Sequence, residues 1–154
     1  MPRITTCSRN LSAFLDMLAW SEGTAGRGDD GYNVMVGGAL FSGYADHPRQ
    51  LVDLPRLKIK SSAAGRYQLL ARWFDAYRKQ LLLSDFGPLS QDTIAIQQIR
   101  ECRALDAIER GDLAEAVKRC RRIWASLPGA GYGQHEHRLA DLRAQFVKAG
   151  GLAA

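Results

Sequence analysis

Asn10-Leu11-Ser12-Ala13-Phe14-Leu15-Asp16-Met17-Leu18-Ala19-Trp20-Ser21-Glu22-Gly23 is the stretch on which the reading of this chain turns. Leu11, Phe14, Leu15, Leu18 and Ala19 recur at the i, i+3, i+4, i+7, i+8 positions of one helical face. The spacing predicts a helix over about 10–22, with Asn10 as candidate N-cap and Gly23 as the stop. Glu22 falls eleven residues after Leu11 and so lies on that same apolar face. A carboxylate is costly there unless it is paired. Spacing alone leaves two readings. Glu22 points into water from a frayed helix end, or it is partly desolvated where the helix meets the next part of the fold. In the second case burial lifts its pKa from an ordinary value of about 4.3. A Glu that stays protonated near neutral pH can give a proton to a leaving oxygen.

Beyond this helix the pattern changes. Residues 24–62 have no helical period and are dense in glycine, at Gly26, Gly28, Gly31, Gly37, Gly38 and Gly43. The short apolar runs Tyr32–Val36 and Ala39–Phe41 between them predict a small antiparallel sheet with tight turns. From residue 66 onward the chain reads as helical. Tyr67, Leu70, Phe74, Tyr77 and Leu81 predict a helix over 66–82, and Ser90 is a candidate cap for one over 91–101. A short helix near 103–110 ends at Gly111. Asp112-Leu113-Ala114-Glu115 resembles a capping box and opens an apolar stripe through Ala116, Val117, Cys120, Ile123 and Trp124. A last helix is expected over 134–148. The expected architecture is a single α+β domain over 1–154, with a small antiparallel sheet lobe, a larger helical lobe and a cleft between them.

The composition, 46% hydrophobic and 24% charged, excludes disorder, and no run approaches the ~20 apolar residues of a membrane span. Thr5, Thr6, Ser8, Arg9 and Asn10 interrupt the place where a signal peptide would have its apolar core. A cytoplasmic origin without stable membrane association is therefore expected. The net charge is +5, and residues 49–79 alone hold eight cations against Asp53 and Asp75. That segment is the sole feature favouring nucleic acid. No zinc spacing, basic helix with a dimer seam or aromatic-rich sheet motif accompanies it, so no nucleic-acid partner is expected. Cys7, Cys102 and Cys120 lack metal-type spacing, and Cys120 reads as a buried structural thiol. No metal is expected. Trp20, Trp73 and Trp124 lie in predicted helices and read as core rather than as sugar platforms, except that Trp20, two residues from Glu22, is open to either role.

Several segments resemble the lambda-type endolysin family. They are Phe14 through Thr24, His47-Pro48-Arg49, Ala64 through Leu70, Trp73 through Gln80, and Ile123 through Gln134. The resemblance spans about 13–151. It departs at the first dozen residues, in a shortened loop around 25–30 and in the C-terminal tail. It implies a lysozyme-like fold and a peptidoglycan lytic transglycosylase without cofactor. Such an enzyme cleaves the β-1,4 bond between N-acetylmuramic acid and N-acetylglucosamine. The muramic C6 hydroxyl attacks C1 of its own ring and leaves a 1,6-anhydro end. Glu22 would be acid and then base. The implied partners are peptidoglycan glycan strands, for a monomer released from the host cytoplasm through a holin-type pore.

A muramidase that adds water is the alternative, and it calls for a second carboxylate. T-even phage lysozymes follow their Glu with Asp nine residues on and Thr six further, where this chain has Gly31 and Gly37. Asp29, Asp30, Asp46 and Asp53 remain open as partners. Gln68, which can donate and accept, is a candidate for binding sugar hydroxyl or acetamido groups; Tyr67 beside it is a further candidate, but its spacing reads more readily as core. Tyr132, in Gly129-Ala130-Gly131-Tyr132-Gly133-Gln134, is a candidate to bond Glu22 or stack on a sugar. Gln134 is a further candidate for the cleft.

Overall fold

In the computed structural model, which describes residues 1–154, the first helix α1 runs Arg9–Ser21. Its cap is Ser8, whose Oγ accepts from Leu11 N at 3.0 Å, and not Asn10. Asn10 is buried because its amide has other work. Nδ2 donates to Ile108 O at 3.1 Å, and Oδ1 accepts from Leu152 N at 2.8 Å, tying the helix start to the C-terminal tail. The other end closes as expected. Gly23 takes φ +70°, its N–H reaches Trp20 O at 3.0 Å, and Thr24 N reaches Ala19 O at 3.0 Å. This is a Schellman stop with Glu22 as the last helical cap.

Two apolar clusters match the two expected lobes. The larger packs Phe14, Leu15 and Leu18 of α1 against Ile99, Val117, Leu142 and Phe146 of later helices. The smaller gathers Met35, Phe41, Leu69, Phe74, Phe86 and Ile94 beneath the sheet lobe. The regular sheet is one antiparallel hairpin, β1 (Val52–Leu54) with β2 (Ile59–Ser61), in the register Val52↔Ser61 and Leu54↔Ile59. The apolar runs at 32–36 and 39–41 form only single bridges, Val34↔Leu40 and Met35↔Ala64. Gly37 and Gly38, at φ +83° and +95°, turn the chain too soon for a ladder.

The helices after residue 66 are α2 (Ala71–Gln80), α3 (Pro88–Glu101), α4 (Leu105–Glu109), α5 (Leu113–Cys120) and α6 (Leu139–Lys148). Four boundaries differ from expectation. α2 begins late because 64–69 is a tight hairpin, with Ala64 and Leu69 exchanging both backbone hydrogen bonds. α3 begins at Pro88 behind Gly87, while Ser90 Oγ donates to Asp85. α5 is capped by Asp112, as predicted, but stops at Cys120, short of Trp124. α6 starts at Leu139 because the preceding residues form a loop, in which the Glu136 carboxylate accepts from Gly129 N and Gly131 N at 2.7 and 2.8 Å.

The 64–69 hairpin locks the lobes together. Arg66 is 1% exposed, and its guanidinium bonds Asp16 of α1 at 2.5 Å and the Asp30 carboxylate at 2.8 Å. Gly65 has φ +80°, and an added Cβ would come within 2.7 Å of Gln91 Cδ and 3.0 Å of Phe86 Cζ. Gln91 has no room to yield, since its Nε2 already donates to Tyr32 O and Phe86 O. Gly65→Ala is expected to cost about 1–3 kcal/mol. A lower urea midpoint would show this, and an unchanged midpoint would refute it.

The basic segment is less free than its composition suggests. Arg66 is internal, Arg49 pairs with Asp46 and Asp75, Arg78 with Asp46, and Lys60 with Asp53. Arg56, Lys58, Arg72 and Lys79 are the members of the segment without an acidic partner. Cys120 is fully buried, as its position on the stripe predicts. Trp124 is core, but Trp73 is 49% exposed under the Arg72 guanidinium, against the expectation that it is core.

Candidate active site

The Schellman stop sets Glu22 at the seam between the lobes. Directly after it, the Thr24 hydroxyl lies 2.6 Å from Arg66 O of the 64–69 hairpin and 3.0 Å from Ala19 O. On the other side, Ser126 Oγ donates to Glu22 Oε1 at 2.6 Å. Glu22 is therefore held and half-buried, not frayed into solvent. Desolvation raises its pKa to about 7, against the lowering effect of hydrogen bonds from Ser126. No neighbouring charge contributes to this shift. A carboxyl poised there can deliver a proton near neutral pH and take one back.

Ser126 was not singled out in the sequence. It lies 104 residues from Glu22, in the turns that follow α5, and no local pattern marks it. The sole indication in the sequence is that it falls inside Ile123 through Gln134. His137 pins the same corner. Its backbone N–H donates to Ser126 O at 2.8 Å, its Nε2 to Ser21 O at 3.1 Å, and its ring lies 4.4 Å from that of Trp20.

The other candidates scatter. Gln68 lies in the hairpin at φ +52°, not on a helix. Its Nε2 donates to Val34 O and Gly65 O, which leaves Oε1 as an uncommitted acceptor on a half-buried side chain. Tyr67 lies in the main core, 5% exposed, with its hydroxyl committed to Asp92 at 2.7 Å. It cannot offer that hydroxyl to a ligand, which corrects its placement beside Gln68 as a binding residue. Tyr132 is 55% exposed and donates to Arg122 O, so it does not bond Glu22. Gln134 is exposed on the 128–138 loop.

The sheet-lobe aspartates are each engaged elsewhere. Asp29 accepts from Arg3 and Tyr44, and Asp30 pairs with the Met1 ammonium and Arg66. Asp46 pairs with Arg49 and Arg78, and Asp53 with Lys60. The His47-Pro48-Arg49 segment is structural. His47 is 2% exposed and packs on Phe86, and burial lowers its pKa. Its Nε2 donates to Leu69 O while Nδ1 accepts from Arg49 N.

Comparison with known proteins identifies the family and the fold. A family model described as Endolysin matches residues 12–153. The endolysin of Escherichia phage lambda is 63% identical over 143 residues, covering 90% of either chain. The endolysin of Escherichia phage P2 is 51% identical over 166 residues, covering all of both. Among solved structures, bacteriophage lambda lysozyme complexed with a chitohexasaccharide superposes with TM-score 0.93 at 56% identity. It covers 98% of this chain and 100% of that one. A second lysozyme structure from bacteriophage lambda gives TM-score 0.89 at 55% identity, with the same coverage. The fold is thus the lysozyme-like α+β fold that the sequence led us to expect, and the chain belongs to the Endolysin family.

Proposed function

We propose that this endolysin is a lytic transglycosylase that cleaves the MurNAc–GlcNAc β-1,4 bond of peptidoglycan, with Glu22 as its acid/base. The observation that carries this reading is a lone carboxyl at the lobe seam, raised to about 7 by burial and free of neighbouring carboxylates. A protonated Glu22 gives its proton to the glycosidic oxygen as the C1–O bond breaks. The resulting carboxylate takes the proton of the C6 hydroxyl, whose oxygen closes on C1. Glu22 ends protonated and ready for another turnover. The nucleophile belongs to the same sugar, so its effective molarity is high and no protein group has to hold a water. The chitohexasaccharide in the lambda lysozyme complex supports a glycan strand as the substrate class. Gln68 Oε1 supplies an acceptor for sugar hydroxyl or amide N–H groups, and exposed Tyr132 and Gln134 belong to the loop on the Ser126 side. No helix is long and apolar enough to cross a membrane. On this reading the enzyme acts as a monomer and reaches the wall from the host cytoplasm through a holin-type pore.

Mass spectrometry of digested peptidoglycan separates the two enzyme readings. Transglycosylation leaves muropeptides lighter by one water, with no new reducing ends. Reducing ends in proportion to bonds cut would assign the hydrolase instead.

A further inference from the structure

We propose that Ser126 is the positioning residue of Glu22: its hydroxyl claims Oε1 and so makes Oε2 the oxygen that carries the working proton. The inference rests on Glu22 being the acid/base. Ser126 is 8% exposed, and its Oγ lies 2.6 Å from Glu22 Oε1 and 3.0 Å from Ser21 Oγ. Ser21, 6% exposed, lies 2.9 Å from Leu18 O. The groups form a chain: Glu22 Oε1, Ser126 hydroxyl, Ser21 hydroxyl, Leu18 carbonyl. Leu18 O can only accept, so Ser21 donates to it. Ser126 then has one proton and two oxygens within reach. When Glu22 is ionised, Ser126 donates to Oε1, because hydrogen bonds to carboxylate oxygens are the stronger ones, and the 3.0 Å contact with Ser21 Oγ then carries no proton; the proton that returns adds to Oε2, the oxygen without that bond. Besides the Ser126 hydroxyl, the Ser126 backbone N–H is the protein group that stabilises the Glu22 carboxylate, and it remains in any Ser126 substitution. No other side chain bonds Oε2, and Oε2 is not among the buried side-chain atoms left without a partner.

The consequence for chemistry is directional. With Oε1 accepting from Ser126, the carboxyl proton is placed on Oε2. The same bond holds the carboxyl plane fixed while the proton leaves and returns, so the acid and base steps use one oxygen without a rotation. The corner is rigid because His137 holds Ser126 O through its backbone and Ser21 O through its ring. The titratable groups facing this chain are Glu22, His137 with its Nε2 on Ser21 O, and His135, whose ring lies 4.8 Å from that of His137.

Ser126→Ala removes the hydroxyl donor, and Ser126→Thr keeps it. Two readouts are needed. One is the carboxyl carbon NMR titration of Glu22 itself, which His135 and His137 do not mimic. The other is the pH profile of bond cleavage on soluble glycan strands. In Ser126→Ala the Glu22 midpoint and the alkaline limb of the profile should move to higher pH together. The rate on the acid plateau should fall about tenfold or more, and Ser126→Thr should restore both. A Ser126→Ala enzyme that folds and shows a wild-type Glu22 midpoint overturns the proposal. So does one whose lost activity is not recovered by Thr. If Glu22→Gln retains wild-type cleavage, the underlying assignment of Glu22 fails instead. The two failures are distinct, because the titration reads the hydrogen bond whether or not the enzyme turns over.

Discussion

Glu22→Gln is expected to lower peptidoglycan cleavage by at least about 10²-fold, and by as much as about 10⁴-fold, while the protein becomes more stable above neutral pH. The amide is nearly isosteric, and its Oε1 can still accept from Ser126. What it cannot do is release a proton. Activity of the parent enzyme should fall as pH rises through about 7, because the protonated fraction of Glu22 falls there. The stability effect runs the other way and follows from linkage. The folded-state pKa lies above the unfolded value of about 4.3, so between the two the native state holds more protons than the unfolded one. Stability from this group is therefore fully present below about 4.3 and is lost as pH climbs through about 7. Above that, ionised Glu22 costs the fold about 2–3 kcal/mol, less than the ~3.7 kcal/mol of the full shift because the side chain is partly exposed. The Gln variant should escape that cost. Its Tm should exceed that of the parent at pH 8 and match it near pH 4. Equal clearing by the two proteins would remove Glu22 from the chemistry. Equal Tm at both pH values would mean that its carboxyl is not desolvated.

The two lobes, α1 with its Glu22 and the capped start of α5 were legible because each depends on neighbours in sequence. A stripe at Leu11, Phe14, Leu15 and Leu18 sets a helix face, and Gly23 ends it, with no reference to the rest of the chain. The 64–69 hairpin was not legible for the opposite reason. Tyr67 and Leu70 have helical spacing, but Arg66 N bonds Gln91 Oε1 and the Arg66 guanidinium bonds Asp16, contacts 25 and 50 residues away. Tertiary partners overrode local propensity there. Ser126 failed to stand out in the same way, since its role depends on a fold that brings it to Glu22. Tyr67 was open in the sequence: its place beside Gln68 made it a candidate for the cleft, and its spacing made it core. The buried acceptor that decides for the core lies 25 residues away, beyond any local pattern.

That acceptor, Asp92, carries the largest stability prediction. It is fully buried in α3 and takes four hydrogen bonds from three separate parts of the chain. Oδ2 accepts from Arg3 N at 2.7 Å and Ile4 N at 2.9 Å, and Oδ1 from Tyr32 OH at 2.8 Å and Tyr67 OH at 2.7 Å. One side chain thus joins the N-terminal segment, the start of the sheet lobe and the 64–69 hairpin to the helical body. Asp92→Ala strands all four donors and leaves a hole. Each buried donor left alone costs about 1–3 kcal/mol, but the costs do not simply add. The Arg3 and Ile4 amides sit near a chain end that can swing toward water, and the Tyr hydroxyls can rotate. About 3–5 kcal/mol is therefore expected, a large share of the ~5–15 kcal/mol that holds a typical domain together. Tyr67→Phe removes one donor and leaves Asp92 three, so it should cost only about 1 kcal/mol. Urea unfolding of the two variants beside the parent tests the ranking. An Asp92→Ala midpoint no lower than that of Tyr67→Phe would show that these four bonds are not a shared clamp. If they are, the Ala variant should also lose protection of the Arg3 and Ile4 amides in hydrogen exchange before the helical core opens.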